Sequence, residues 1–442
     1  MNLVYGIKDK PKLGEVALFA VQQLLAIMAA TIAVPAVVNS VTGSDMSASA
    51  ALFGAGVGSI VYLLFTRSSS PVFLGSSFAF LGPMFTAFGS AASMAIGYAG
   101  LIIGALIAGL VYVIIALVVK FCGVKWIDKL MPPVIIGPTV AIIGLSLASN
   151  AIGDLMTSSV DGGSVYVCLI CGLVTLFVTV LVSTYGKGMS KLIPFINGIL
   201  AGYFVASLFA LIGHNTGNAG LVVINYSALG RVGSIFSLPE FSFLKADWSG
   251  MSVTYFVTLF VAYAPVAFVV FAEHLADHKN LSTIVGVDLL ENPGLTNTLL
   301  GDGIGSFCGA FFGGCPNTTY GESIATVAIT RNASTVSIWG AAIACLLFSL
   351  ITPLVAFLET IPNCVMGGVC IALYGFIAAS GLKMLQPVDL NKNRNLFVAS
   401  VIFIVGVGGM TVSFGAVEIR TVACALILGI LTNIMLSKEK DA

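Results

Sequence analysis

Long runs of apolar residues, separated by short polar breaks, follow one another along most of the 442-residue chain. A helix needs about 20 apolar residues to cross the roughly 30 Å hydrocarbon core of a bilayer. The runs match this length, and they predict an all-α membrane protein with fourteen transmembrane segments. The predicted segments cover residues 16–38, 50–66, 72–91, 96–119, 131–150, 164–183, 192–213, 251–273, 297–313, 316–331, 335–357, 364–382, 395–412 and 416–437.

The composition agrees with a location in the lipid bilayer. Hydrophobic residues make up 58% of the chain and charged residues 9%, whereas a soluble domain carries roughly 25% charged residues. So few charges cannot cover a surface that faces water. The net charge is zero, so nothing indicates a nucleic-acid partner. The polar first fifteen residues and the absence of a small-residue cleavage site before Pro35 predict that the first apolar run stays as a span.

The basic residues predict the orientation. With the N-terminus inside, the cytoplasmic connections hold 16 of the 19 lysines and arginines, and the exceptions are Arg231, Lys245 and Arg420. This bias follows the positive-inside rule and requires an even number of spans. We therefore predict a multi-pass protein of the inner (cytoplasmic) membrane with both termini in the cytoplasm. The sixteen residues are Lys8, Lys10, Lys12, Arg67, Lys120, Lys125, Lys129, Lys187, Lys191, Lys279, Arg331, Lys383, Lys392, Arg394, Lys438 and Lys440.

Two segments are interrupted in matching places. Residues 71–83 of the third segment are rich in Gly, Ser and Pro, and residues 313–322 of the tenth combine Gly and Pro with Asn and Thr. Irregular backbone at membrane depth must be buried in protein or line a polar cavity. The two segments lie seven apart, which fits two seven-span halves related by inverted topology, and such paired interruptions indicate a transporter's substrate site. The alternative is a pair of Pro-kinked packing helices.

Two carboxylates lie at the predicted membrane depth. Glu273 closes the eighth segment and Glu322 lies within the tenth, and a carboxylate inside a bilayer is a candidate for function. Glu273 and Asp277 are four residues apart, so on a helix they share one face. Two neighbouring carboxylates resist being ionised together, which suits groups that take up and release protons. The alternative for Glu273 is a helix-end residue that reaches water.

His274 and His278 are also four residues apart, a spacing that can bind a metal with Asp277 as a third ligand. No second cluster supports a metalloenzyme, and a membrane hydrolase would need a nucleophile–base pair or a metal triad. We therefore interpret both histidines as cytoplasmic helix-end residues, and predict a transporter, not an enzyme, with no cofactor or metal. The nine cysteines, including the pair Cys168 and Cys171, are predicted to be small packing residues.

Several strings of residues together resemble the nucleobase–ascorbate transporter family, in which the bacterial uracil-carrying branch is the nearest. The Asn-Thr-Thr-Tyr-Gly-Glu string at 317–322 is highly specific, and the resemblance covers nearly the whole chain. The strings that carry it are Gln22 with residues 30–35, then residues 75–80, 272–274, 288–295, 316–322, 328–331 and 362–368.

This resemblance implies proton-coupled uptake of a nucleobase, uracil, by alternating access. It also implies a core domain of spans 1–4 and 8–11 (residues 1–130 and 251–360) and a gate domain of spans 5–7 and 12–14 (residues 131–250 and 361–442). Short strands in segments three and ten would meet antiparallel at the site. A homodimer in the lipid bilayer is a further implication.

The resemblance also assigns the site. The two glutamates, Glu273 and Glu322, would hydrogen-bond the polar edge of the pyrimidine. The proton-coupling pair, Glu273 with Asp277, is predicted separately, from the four-residue spacing that places both carboxylates on one helix face. Uracil presents an imide N–H between two carbonyls, so a carboxylate acceptor beside backbone N–H donors matches it. The predicted substrate-binding residues are Glu273, Glu322, Ser77, Phe78, Tyr320 and Gly321.

Four positions depart from the family's pattern. Gln23 stands where the family usually has histidine, and Asp277 where the uracil branch has histidine. Ser323 and Ala325 replace the usual Asn and Gly. Because an aspartate at position 277 is common among the family's purine carriers, a xanthine or urate proton symporter is the alternative function. An anion channel or exchanger on the same fold is a third, although neither interruption contains a basic residue.

Overall fold

The computed structural model describes residues 3–123, 126, 131–230, 232–414, 417–419 and 421–438. Five basic residues used to predict orientation lie outside these residues, namely Lys125, Lys129, Arg231, Arg420 and Lys440, as do positions 416 and 420 of the fourteenth predicted segment. The helices are Leu13–Thr42 (α1), Ala48–Phe65 (α2), Leu81–Gly89 (α3), Met94–Cys122 (α4), Pro133–Ser146 (α5), Ala148–Leu155 (α6), Val165–Tyr185 (α7), Met189–Leu192 (α8), Pro194–Thr216 (α9), Ser227–Gly230 (α10), Ser242–Lys245 (α11), Val253–Val285 (α12), Leu295–Phe312 (α13), Gly321–Thr330 (α14), Thr335–Ser349 (α15), Thr352–Glu359 (α16), Asn363–Met384 (α17), Asn393–Val407 (α18) and Thr421–Met435 (α19). The strands are Leu74–Ser76 (β1), Asn317–Thr319 (β2), Val412–Phe414 (β3) and Val417–Ile419 (β4), and single helical turns cover Phe78–Phe80, Ala219–Leu221, Leu290–Gly294 and Leu436–Lys438.

The described chain is predominantly helical, as predicted. Eight of its helical stretches are long and apolar enough to cross a membrane. Other apolar helices are shorter because their segments are divided: the predicted segment 335–357, for example, consists of α15 and α16. The structure therefore has the architecture of a multi-pass helical membrane protein, and the count of fourteen spans stays a prediction.

Helix α12 continues past its predicted end. The eighth segment was expected to cover 251–273, but the helix runs to Val285 and ends at Gly286, whose φ of 73° is typical of a C-cap glycine. The prediction that Glu273 closes this helix is therefore wrong. The two histidines that follow Glu273 in this helix pack against other helices instead of facing water: His274 and His278 are both 0% exposed.

The long helices pack in two groups. In the first group, α13 packs against α2 and α4, while α1, α12 and α15 pack around these three. In the second group, α17 packs against α5 and α7, α9 packs against α7, and α18 packs against α5 and α19. Small residues at such contacts let helices approach closely without a hydrophobic force between them. A second strand pair, β3 with β4, was not predicted and lies between α18 and α19.

The strands β1 and β2 pair antiparallel inside the first group, with Leu74 opposite Thr319 and Ser76 opposite Asn317. All six residues are buried. The Asn317 side chain is inserted between helices, where its Nδ2 donates to the Gly54 carbonyl at 2.9 Å. A Cβ on Gly309 would lie 2.4 Å from this Nδ2, so the close approach requires glycine there. The predicted strands in segments three and ten are confirmed, and a pair of kinked packing helices is excluded.

An ion cluster ties the connection between α1 and α2 to α11. Asp45 accepts hydrogen bonds from the Tyr98 hydroxyl at 2.6 Å and from Lys245 Nζ at 2.9 Å, and Lys245 also pairs with Glu240 at 2.6 Å. The Tyr98 hydroxyl, helped by Lys245, holds the pKa of Asp45 below its ordinary value. A carboxyl group whose pKa is lower in the folded than in the unfolded chain stabilises the fold at pH values above its unfolded-state pKa. This stabilisation is lost as the pH falls through its folded-state pKa.

We expect Asp45→Asn to lower the Tm of purified protein near pH 7. This effect should begin to fade below about pH 4, the ordinary carboxyl pKa, and disappear as the pH falls through the lower pKa of Asp45 in the folded protein. The effect will be small, since exposed ion pairs contribute roughly 0–1 kcal/mol. Thermal melts of both proteins between pH 7 and pH 3 measure it, with Asp161→Asn as the loop control. A Tm difference that grows on acidification would contradict this assignment.

Candidate substrate-binding site

A cavity of about 510 Å³ lies beside the strand pair, between the two helix groups. Its wall contains every residue predicted for substrate binding or proton coupling, although these come from three separate parts of the chain. They are Ser77, Phe78, Glu273, Asp277, Tyr320, Gly321 and Glu322. The wall is completed by α1 from the first group, by α5, α7, α9 and α17 from the second, and by the short helix α8. The structure thus brings the seven predicted residues together, while their roles stay predictions.

Two helical turns begin at the cavity wall, each directly after a strand. The turn Phe78–Phe80 follows β1, and α14 begins at Gly321 after β2. The first N–H groups of a helix have no partner within the helix and carry a partial positive charge. Gly321 is exposed, and apart from its chain neighbours and its own helix backbone no atom lies within 4 Å of the position of a Cβ there. The site therefore offers backbone donors to a ligand's carbonyl oxygens.

The Tyr320 side chain is used to join the strands. Its hydroxyl donates to the Ser76 carbonyl at 2.5 Å. A Cβ on Gly75 would lie 2.5 Å from the Tyr320 ring, so the ring covers β1 at a position that requires glycine. Tyr320 is 5% exposed, which leaves its backbone as its main contribution to the cavity. Phe78 packs edge-on against Tyr374 of α17, with the two ring centroids 5.8 Å apart. This contact connects the strand side of the cavity to the second group.

Three carboxyl groups line the cavity. Glu273 and Asp277 lie one turn apart on α12, Glu322 lies in the first turn of α14, and all three are half-buried. Asp277 Oδ2 accepts a hydrogen bond from Thr319 Oγ1 at 2.8 Å, which attaches this carboxyl to β2. Glu273 and Glu322 carry no side-chain hydrogen bond to another residue in the described chain. These two carboxylates are therefore the acceptors left for a ligand.

Two of the departures from the family pattern contact each other. Gln23 Nε2 donates to Ser323 Oγ, and Ser323 Oγ also accepts from the Phe73 backbone N–H at 3.0 Å. Gln23 is 3% and Ser323 0% exposed. This contact links α1 to α14 and to the residue that precedes β1. Gln23 and Ser323 thus bond to each other outside the cavity wall.

The two histidines do not lie at a water-exposed helix end as predicted. His274 Nδ1 lies 2.7 Å from Asp302 Oδ2, and His278 Nε2 lies 2.7 Å from the Tyr62 hydroxyl. Asp302 is 1% exposed and was not among the predicted residues. The sequence feature that could have identified Asp302 as a candidate is its position between two glycines in the apolar ninth segment. Within the described ranges, no group of three His, Cys, Asp or Glu side chains is arranged to hold a metal.

Comparisons with known proteins agree with this geometry. A family model described as "Permease family" (Xan_ur_permease) matches residues 14–414. The uracil permease of Bacillus caldolyticus is 38% identical over 442 residues, which cover 99% of this chain and 96% of the relative. The uracil permease of Bacillus subtilis (strain 168) is 37% identical over 444 residues, with 99% and 96% covered. The uracil permease of Escherichia coli (strain K12) is 35% identical over 428 residues, with 96% and 92% covered.

Solved structures share the fold at low sequence identity. The transmembrane domain of the cyanobacterial bicarbonate transporter BicA superposes with a TM-score of 0.62 at 16% identity, covering 97% of this chain and 99% of that chain. The murine anion transporter Solute Carrier 26 family member A9, in its inward-facing state, gives a TM-score of 0.68 at 14% identity, covering 97% and 69%. At these identities the likeness shows the fold alone.

The interrupted segments, the helical membrane fold and the acidic cavity between two helix groups define a membrane transporter. The chain belongs to the Permease family, and the resemblance of its motifs to the nucleobase–ascorbate transporters is confirmed.

Proposed function

We propose that this chain carries uracil across the inner membrane by alternating access, together with protons. The observation that carries the proposal is the cavity that places the Glu273 and Glu322 carboxylates beside the backbone at Phe78 and Gly321. Carboxylates accept from uracil's N–H groups, and backbone N–H groups donate to its carbonyl oxygens. The uracil permeases that are 35–38% identical over nearly the full length support this substrate.

The proton site of this proposal is the pair Glu273 and Asp277. Both line the cavity one turn apart on α12, so ionising one disfavours ionising the other. A proton taken up by this pair removes a negative charge from the cavity before the substrate crosses. Because the Asp277 carboxyl is held by a hydrogen bond from Thr319 of β2, Glu273 is the member of the pair that is left to reach the substrate.

The proposed architecture is a 7+7 inverted repeat of fourteen spans, divided into a core domain (residues 1–130 and 251–360) and a gate domain (131–250 and 361–442). Two observations support it: the helices pack in two groups along these lines, and the interrupted segments meet at the pair β1 and β2. Movement of one group against the other would expose the cavity alternately to the two sides. A homodimer in the bilayer belongs to the same proposal.

We further propose that the structure is open toward the cytoplasm. Lys191 of α8 and Lys383 of α17 line the cavity, and the distribution of basic residues assigns both to the cytoplasmic side. Both termini would then be cytoplasmic, and the nucleobase would leave the cavity past these lysines.

Equilibrium binding tests the proposed substrate. Purified protein in detergent should bind radiolabelled uracil saturably, and unlabelled uracil should displace it more effectively than xanthine or urate. Absence of saturable uracil binding, with binding of a purine instead, would contradict the proposal.

A purine symporter is the second candidate function, because Asp277 lines the cavity where the uracil branch has histidine. We expect Asp277 to tune the proton site without admitting purines, since its carboxyl is attached to Thr319 at 2.8 Å. Asp277→His should therefore shift the pH dependence of uracil uptake and leave inhibition by xanthine and urate weak, as in the wild type.

Competition of uracil uptake by purines in the two proteins is the measurement. Thr319→Val is the matched control, since it removes the hydrogen bond and keeps the Asp277 carboxyl. Strong purine inhibition of the wild type that the histidine relieves would move this protein among the purine carriers.

A further inference from the structure

Helix α12 presents two different polar faces. Glu273 and Asp277 line the cavity, while His274 and His278, each one residue further along, lie about 100° around the helix. The histidines are fully buried against the first helix group, where they contact residues of α13 and α2. The contacts that hold these histidines therefore lie on the same helical turns as the two cavity carboxyl groups.

Both ring nitrogens of His274 are held by α13. The Thr298 hydroxyl donates to the Leu295 carbonyl at 3.0 Å, so its oxygen accepts from His274 Nε2–H at 3.0 Å. His274 Nδ1 then faces Asp302 Oδ2 at 2.7 Å, and this short contact requires one proton between the two groups. The proton positions follow from the hydrogen-bond network. The pair of Asp302 and His274 is therefore neutral overall, which suits a site without water.

His278 adds a second attachment. Its Nδ1 lies 2.8 Å from the His274 carbonyl, which only accepts, so Nδ1 carries a proton. Its Nε2 lies 2.7 Å from the hydroxyl of Tyr62 on α2, and that hydroxyl lies 2.8 Å from Ser70 Oγ. The two imidazole rings stack with centroids 4.0 Å apart. Helix α12 is thus held against both α13 and α2 over one turn.

We infer that Asp302 is a positioning residue, which acts through His274 to fix the rotation of α12 so that Glu273 and Asp277 face the cavity. The Asp302 carboxyl depends on this contact, because its other oxygen, Oδ1, is buried without a partner among the described residues. Removing either member of the pair leaves the other buried and unpaired, which is costly. The helix can then relieve that cost by turning, and its two carboxyl groups turn with it.

A double-mutant cycle on uracil binding tests this inference, which rests on the proposed function only for its probe. We expect Asp302→Leu to raise the Kd for radiolabelled uracil by about tenfold, a change of roughly 1.4 kcal/mol. In a Glu273→Ala background the same substitution should change the Kd by less than about twofold, because the mispositioned carboxyl is already gone. His274→Gln should give the same pattern, and it serves where Asp302→Leu does not fold.

The control is Cys345→Ala, which removes a buried contact from Cys345 Sγ to the Leu52 carbonyl between α15 and α2. This variant should lower the Tm while leaving the Kd unchanged. An equal change in Kd for Asp302→Leu in both backgrounds would show a purely structural role and overturn the inference, as would an unchanged Kd in the wild-type background. Failure of the wild type to bind uracil would instead count against the proposed substrate.

Discussion

Glu322→Gln will weaken uracil binding by roughly 10- to 150-fold, the equivalent of a charge-assisted hydrogen bond of about 1.5–3 kcal/mol. Glu322 lines the cavity in the first turn of α14, beside the exposed backbone of Gly321. Glutamine has the same size and keeps an acceptor oxygen, so the fold should be retained while the charge is lost. Equilibrium binding of radiolabelled uracil to the purified variant measures the effect.

The matched control for this change is Glu291→Gln. Glu291 is an exposed glutamate in the turn between α12 and α13 and does not line the cavity. The Glu291→Gln variant should bind uracil as the wild type does. An unchanged Kd in Glu322→Gln would show that Glu322 is not the acceptor for the substrate.

Glu273→Gln will abolish accumulation of uracil driven by a proton gradient, while binding is weakened by no more than about tenfold. Glutamine resembles a permanently protonated glutamate, so the group can no longer take up and release a proton during the cycle. The half-buried position of Glu273 within α12, one turn from Asp277, gives the physical reason to place the proton here. Uptake into proteoliposomes with and without an inward proton gradient separates accumulation from exchange.

Asp277→Asn in the same assay identifies which acid of the pair carries the proton. We expect it to retain more gradient-driven accumulation than Glu273→Gln, because Thr319 already holds the Asp277 carboxyl by a hydrogen bond. Full accumulation by Glu273→Gln together with its loss in Asp277→Asn would reverse the assignment.

The interrupted segments were predictable because Pro, Gly and Ser are poor residues for a lipid-facing helix, and their positions mark where the backbone leaves the helix. The pairing of β1 with β2 followed from the family resemblance and is confirmed. The local sequence pattern could not predict the close contacts that this pairing needs, such as the Tyr320 ring over Gly75, since these contacts join residues far apart in the chain.

The end of α12 was mispredicted for a related reason. A run that contains Glu273, His274, Asp277 and His278 reads locally as an exit from the membrane. In the fold the two histidines lie within the helix, and their partners are supplied by other helices, 28 residues away for His274 and 216 for His278. A polar residue buried through such distant partners has the same local sequence as one that faces water.

The contact between Gln23 and Ser323 could not be predicted for the same reason, since the two residues are 300 positions apart in the chain. From the sequence, each residue is a separate departure from the family's pattern. In the structure they form one buried contact that attaches α14, which carries Glu322, to α1. These two departures therefore share one structural role in this chain, the contact between α1 and α14.

Concentrative uptake of radiolabelled uracil into proteoliposomes, under an imposed inward proton gradient, tests the central claim most directly. The account predicts accumulation above the equilibrium level that collapses with a protonophore and is inhibited by unlabelled uracil far more strongly than by xanthine or urate. Uptake of uracil that ignores the proton gradient, or that xanthine suppresses more strongly than uracil itself, would contradict it.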